Sequence, residues 1–144
     1  MTSVLLYQDT RIFKAALWSY LKNNSVLTPI VNLIQYHPKT ANDIQNGKSR
    51  IVISPASNPG VGQYLTRQIS SPTIRFTAYA VREASCDNAI HQLINVLESW
   101  LPSDFPMENQ SLQFVNAEQR IESLFNDAIN LYFASVLYKF HLSR

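Results

Sequence analysis

The feature that most constrains this chain is the order of its clearest elements. Residues 72–81 alternate, with Ile74, Phe76, Ala78 and Ala80 on one face and Thr73, Arg75, Thr77 and Tyr79 on the other, the period of a strand with one face buried. Residues 85–100 then carry Ile90, Leu93, Ile94, Leu97 and Trp100 at helical spacing, with Ser85 as the expected N-cap, Asp87 in the first turn, and His91, Asn95 and Glu98 on the wet side. Residues 132–142 alternate again, and apolar residues occupy much of both faces near 131–137. A strand of this length, apolar on two sides, belongs inside a sheet or partly against another subunit. Strand, helix and strand in this order predict an α+β domain.

The first of those helices is read at residues 10–22. Phe13, Ala16, Leu17, Tyr20 and Leu21 form its stripe, Asp9 or Thr10 supplies the cap, and Asn23-Asn24 stop it. The opposite side carries Arg11, Lys14, Trp18 and Lys22, which sets a tryptophan among cations. Arg11, Trp18 and Lys22 are therefore candidate contact residues, the competing reading being that a neighbouring segment of the same domain covers the indole. Residues 30–36 and 50–54 read as short strands separated by a polar loop at 39–49. Residues 55–62, with Pro55, Pro59, Gly60 and Gly62, predict an exposed turn or hairpin approach before strand-like composition resumes at 63–69. Pro102 and Pro106 end the second helix and open a loop to Gln110. Residues 112–115 read as a strand, and Ile121, Leu124, Phe125 and Ala128 suit a short helix over 117–128, the competing reading being an irregular acidic connection.

Chemistry is scarce. The 144 residues are expected to form one domain over residues 1–144. No apolar run approaches the length of a membrane span, and residues 1–9 lack the charge and cleavage pattern of a secretion signal. One cysteine, Cys86, excludes an internal disulfide; near a helix start it reads as either a reactive thiol or a small buried residue, the latter favoured. His37, His91 and His141 lie on separate elements in no ligand pattern, Gly60-Val61-Gly62 lacks the rest of a phosphate loop, and Glu118 with Glu122 is a solvated like-charge pair. No catalytic residue, cofactor or metal is expected, and the chain does not read as an enzyme. Tyr64 and Arg67 belong to a set of aromatic and basic residues on sheet-like segments (with Arg75, Phe76, Tyr79 and Arg82), yet Phe76 and Tyr79 point to opposite faces, unlike the paired aromatics of an RNA-reading sheet.

Charge is unevenly divided. Residues 1–82 hold nine Lys/Arg against two acids, a net +7, whereas residues 83–144 hold eight acids against three Lys/Arg, a net −5. The halves either neutralise one another or form two faces of opposite sign, the second being suited to head-to-tail contact between identical subunits.

This order of elements resembles the tail-completion or tail-terminator family of long-tailed bacteriophages. The resemblance runs through the helix at 10–22, the strand ending in Tyr36-His37-Pro38, the strand at 50–54 followed by Pro55 and the strand at 74–81. It continues in the helix entry Ala84-Ser85-Cys86-Asp87-Asn88-Ala89 and the final strand Tyr132-Phe133-Ala134-Ser135-Val136-Leu137-Tyr138. Residues 116–130 are longer than the connection the family leads one to expect. What the resemblance implies is a mostly antiparallel sheet with two main helices packed on it, in a virion protein, made in the host cytoplasm, that assembles as a hexameric ring at the head-proximal end of the tail. Its partners would be other copies of itself, the tail tube protein and the head connector, with genomic DNA passing close by and no membrane involved. The segments 55–62 and 104–110 would be recruited to tube or connector, and the acidic Asp104 and Glu108 would face the lumen and repel passing DNA. Two alternatives stand beside it: another neck or minor tail structural protein, and an unrelated protein- or nucleic-acid-interaction domain.

Overall fold

The structure is a computed structural model, and it describes residues 2–36, 48–57, 61–64, 67–107 and 111–143. Its elements are α1 (Thr2–Lys22), β1 (Val31–Gln35), β2 (Ser49–Ser57), β3 (Val61–Tyr64), β4 (Arg67–Ser70), β5 (Thr73–Ala80), α2 (Glu83–Glu98), β6 (Ser111–Asn126) and β7 (Leu131–Ser143). The strands form one seven-stranded sheet along the path β1-β2-β5-β7-β4-β3, with β6 on β7. Only the β1–β2 pairing is parallel among the described strands. The expected class, an α+β fold with two helices on a mostly antiparallel sheet, is what the chain adopts.

β7 organises the sheet. One of its edges pairs with β6 over its whole length; the other pairs with β5 from Tyr132 to Lys139 and then with β4 at Leu142 and Ser143. The predicted alternation of β5 holds: Ile74, Phe76, Ala78 and Ala80 are fully buried. They meet Tyr138, Val136, Ala134 and Tyr132 in register across β7. Both helices cover this face. α2 contributes Cys86, Ala89, Ile90, Leu93, Val96 and Leu97, and α1 contributes Phe13, Leu17 and Leu21. Phe13 packs at 5.0 Å from Phe140 and 6.1 Å from Phe105, tying α1 to the end of β7 and to the segment after α2.

α2 lies close to the sheet because both surfaces are built from small residues where they meet. Ala78, Ala80 and Ala134 below and Cys86 and Ala89 above are all fully buried, and the Cys86 thiol reaches the Ala78 carbonyl at 3.4 Å.

Several sequence expectations are corrected. α1 starts at Thr2 and not at residue 10, so Asp9 and Thr10 lie inside it; no proline or glycine interrupts residues 2–22, and a helix continues where nothing stops it. α2 starts at Glu83 with Arg82 in extended conformation before it and no side-chain cap, so Ser85 is not the N-cap and Asp87 falls beyond the first turn. Ser85 has another task, since its carbonyl accepts the Ser49 hydroxyl at 2.9 Å. Trp100 falls after the helix and packs edge-on against Phe105 at 6.0 Å. Pro55 does not break structure but pairs with Ile74 within β2, next to an irregularity between Pro55 and Ser57 that accommodates its missing N–H. The stretch 63–69 is not one strand: it divides between β3 and β4, an antiparallel hairpin. The polar loop at 39–49 lies outside the described residues over 39–47, and Ser49 already belongs to β2.

The largest correction concerns residues 117–128. They are not helical but form most of β6, a 16-residue strand antiparallel to β7. The register slips at three places, between Leu112 and Phe114, Ala117 and Gln119, and Ile121 and Leu124. Each slip exchanges the faces of the residues that follow, so the strand has no sustained period of two and its apolar residues fall by coincidence near helical spacing. Pairing with β7 supplies backbone hydrogen bonds that local propensity cannot outweigh. Residues 127–130 close the β6–β7 hairpin. The Asn126 side chain accepts the Ala128 N–H at 3.0 Å, the Asn126 carbonyl accepts the Asn130 N–H at 2.8 Å, and Asn130 adopts φ +58°, a conformation asparagine tolerates better than most residues.

Candidate interaction surfaces

The cationic side of α1 is built as the sequence order requires, at 100° per residue. Trp18, Lys22 and Arg11 fall on one stripe beside the buried stripe of Phe13, Leu17 and Leu21. The Trp18 indole N–H donates to the Ile34 carbonyl at 3.0 Å, and the Lys22 ammonium lies 4.3 Å from the centre of the ring. Trp18 is half-buried against β1 while Arg11 and Lys22 are exposed. Cover from within the domain, one of the two readings given to this indole, is therefore present. Nearby, the Tyr36 hydroxyl donates to the Lys14 carbonyl, and burial pushes the Tyr36 phenol well above its ordinary range. These two bonds anchor β1 to α1. Trp18→Phe, which removes the indole donor but keeps an aromatic ring, is expected to cost about 1 kcal/mol in chemical unfolding followed by circular dichroism.

Tyr64 and Arg67 face each other in register across the β3–β4 hairpin. Asp104 lies at the end of a short 3₁₀ turn, Pro102–Asp104, where its carboxylate accepts the Leu101 N–H at 2.7 Å. Its charge adds to burial in raising the Tyr20 phenol, whose hydroxyl donates to the Val96 carbonyl at 2.7 Å. Glu108 lies outside the described residues. The six described candidate residues thus divide into an α1 stripe, a hairpin pair and the turn after α2.

Alongside α1 runs a cleft of about 840 Å³ lined by Ile12, Ala15, Ala16, Ser19 and Tyr20 from the helix and by Asp104 and Pro106 from the following segment. A second cleft, about 440 Å³, separates the start of α2 from β6; Glu83, Asp87, His91, Arg120 and Glu122 line it, and Ser123 donates to Asp87 across it. Among the described residues, no group of three or more His, Cys, Asp or Glu is disposed to hold a metal ion. Among the described residues, no helix is long and apolar enough to cross a membrane.

The sheet face away from the helices carries a network that sequence reading did not assemble. Arg75 donates to Ser135 at 3.1 Å and to Gln119 at 3.1 Å, joining β5, β7 and β6. Arg50 lies on the same face with its guanidinium carbon 6.0 Å from the centre of the Tyr79 ring. His141, at the other end of this face, is shifted below its usual range by burial and by Lys139, with Glu118 opposing. Arg75 was visible as an outward residue of an alternating strand, but its partners required knowledge that β6 is a strand.

Cys86 is a buried thiol. Burial raises its pKa first of all, Asp87 and Glu83 add to the rise, and a hydrogen bond with Ser123 opposes them. The small-buried-residue reading is the one that fits, because the thiolate needed for reactivity is disfavoured. In the native protein, Cys86 is expected to react with a soluble aromatic disulfide at least about tenfold more slowly than in urea-unfolded chain. Equal rates would show that the start of α2 opens freely.

No protein-family model matches the chain, and no curated protein matches it. Among solved structures, the fold is shared with a chain of the virion of a native gene transfer agent particle, with a TM-score of 0.75 and 10% sequence identity, over 96% of this chain and 99% of the other. At that identity the likeness is one of fold.

Proposed function

We propose that this protein is a structural virion subunit that caps the tail tube of a phage-like particle, ends tube growth and offers the docking surface for the head connector. The observation that carries this reading is the fold shared end to end with a chain of a gene transfer agent virion, 96% of one and 99% of the other at a TM-score of 0.75. The order of elements that resembles the tail-terminator family supports the finer assignment. So does the sheet path, which sets β1, β2 and β5 from the cationic half on one side of β7 and β6 from the acidic half on the other.

In this role the protein works by contact and not by chemistry. Copies assemble head to tail as a ring, most simply a hexamer, whose one face meets the tail tube protein and whose other face meets the connector. The β3–β4 hairpin with Tyr64 and Arg67, the turn with Asp104 and the segment with Glu108 are the parts assigned to tube and connector, and no cofactor takes part.

Gold-labelled antibody against this protein, applied to intact particles, tests the location. Label is expected at the junction of head and tail, once per particle. Label at the distal tip or along the tube would overturn the capping role, and particles free of the protein would overturn the virion reading itself.

A further inference from the structure

Opposite charges gather at opposite edges of the sheet. Among the described strands, β1 pairs only with β2 and β6 only with β7, so these two bound the row β1-β2-β5-β7-β6. α1 lies against β1, held there by the Trp18 and Tyr36 hydrogen bonds. Its cationic stripe consists of Arg11, Lys14 and Lys22; Arg11 and Lys22 are exposed and Lys14 is partly so, and residues 10–24 contain no acid. The Lys22 ammonium, 4.3 Å from the centre of the Trp18 ring, is set in place at one end of that stripe.

The cleft at the β6 edge has the other sign. Three acids line it, Glu83, Asp87 and Glu122, against one arginine, Arg120, a net −2 with His91 neutral. Glu83 and Asp87 stand one turn apart on α2, Glu122 stands on β6, and all three are exposed. Ser123 donates to Asp87 across the cleft, so its two walls are tied together. Its volume of about 440 Å³ admits the ends of side chains and not a helix. Within one molecule, α1 packs on β1 whereas α2 packs on β5, β6 and β7. Four strand spacings of about 4.8 Å separate β1 from β6, roughly 19 Å across the sheet, so the stripe does not serve its own cleft.

We infer that the cationic stripe of α1 on one copy docks across the acidic α2–β6 cleft of the next, with the Lys14 and Lys22 ammonium groups directed at its carboxylates. A second copy is the occupant because the two surfaces are opposite in sign and lie at opposite edges of one subunit, so copies meeting edge to edge satisfy both. A contact between unlike surfaces is head to tail and repeats, which is the geometry that closes a ring. The inference rests on the proposed ring assembly and names the contact that builds it. Exposed charges orient and steer partners, and salt screens them, so the test belongs at low ionic strength.

Two charge-reversed variants of the full-length protein test it, none of the substituted residues being buried: Lys14→Glu with Lys22→Glu for the stripe, and Glu83→Lys with Glu122→Lys for the cleft. Sedimentation velocity of the wild type is expected to show oligomers. Each variant alone should associate at least about tenfold more weakly, because like charges then face one another, with an unchanged far-ultraviolet spectrum. An equal mixture of the two is expected to associate again, the variants alternating, since the reversed stripe of one suits the reversed cleft of the other and the native stripe of the second suits the native cleft of the first. A variant that keeps wild-type association would overturn the contact and leave ring assembly standing. Two dissociated variants that stay apart on mixing would also overturn it. A wild type monomeric at every concentration would overturn ring assembly by free protein and the contact with it.

Discussion

Replacing Phe140 by alanine is expected to cost the fold about 3–5 kcal/mol, the range for a large aromatic removed from a closed core. Phe140 is fully buried and its ring is the meeting point of the structure: Phe13 lies at 5.0 Å, Phe76 at 6.2 Å and Tyr138 at 6.3 Å. Phe13 belongs to α1, Phe76 to β5 and Tyr138 to β7 itself, so the cavity left by the ring would separate the first helix from the sheet. Relaxation cannot refill it cheaply, because the neighbours are held by strand register on one side and by the Trp18 and Tyr36 hydrogen bonds on the other. Domains of this size have total stabilities of about 5–15 kcal/mol, so the loss is a large fraction of the whole. Urea unfolding followed by tryptophan fluorescence measures it. Phe140→Leu should recover more than half of the loss, and a cost below about 1 kcal/mol for alanine would contradict the packing described.

The second large effect comes from adding volume. Ala78→Leu is expected to destabilise by about 1–3 kcal/mol or more, because three extra heavy atoms have no room between β5 and α2. Ala78 is fully buried, its cross-strand partner Ala134 is too, and its carbonyl already touches the Cys86 thiol. The helix must lift or the strand must bend. Lifting would expose Cys86, so this variant should react faster with thiol reagents than the wild type under native conditions, which separates helix displacement from a general loss of stability. Ala84→Leu is the control, an equal increase in size on the exposed side of α2, and should change stability by less than about 0.5 kcal/mol. If both leucines behaved alike, the close approach of α2 to the sheet would be wrong.

These two substitutions also show which parts of the fold could be read from the chain. β5 and β7 were legible because each keeps one phase for at least eight residues, so burial writes a period of two directly into the sequence. α2 was legible in its stripe but not in its start, since Arg82 and Glu83 carry no capping signal and Ser85 does. β6 was not legible because three register slips scramble its phase, and the information that makes it a strand lies in β7. That error had a cost for the surface: Leu124 and Phe125, read as the buried stripe of a helix, are exposed on a hairpin. Asn126-Asp127 and Asn130 ahead of an alternating strand were the available turn signal. Of the candidate contact residues, Arg11 and Lys22 stand exposed as expected, whereas the cleft next to them depends on Ala15, Ala16 and Ser19, residues too plain to attract notice before the chain is folded.

The proposed role in ending a tail tube calls for electron microscopy of particles made without the gene for this protein, scored for tail length and for attachment to heads. Tails of uneven and excessive length with no heads attached are expected, restored to uniform length by the wild-type protein. Tails of normal length that fail only to join heads would contradict tube capping and move the protein to the neck, and tails normal in both respects would contradict a role in the tail altogether.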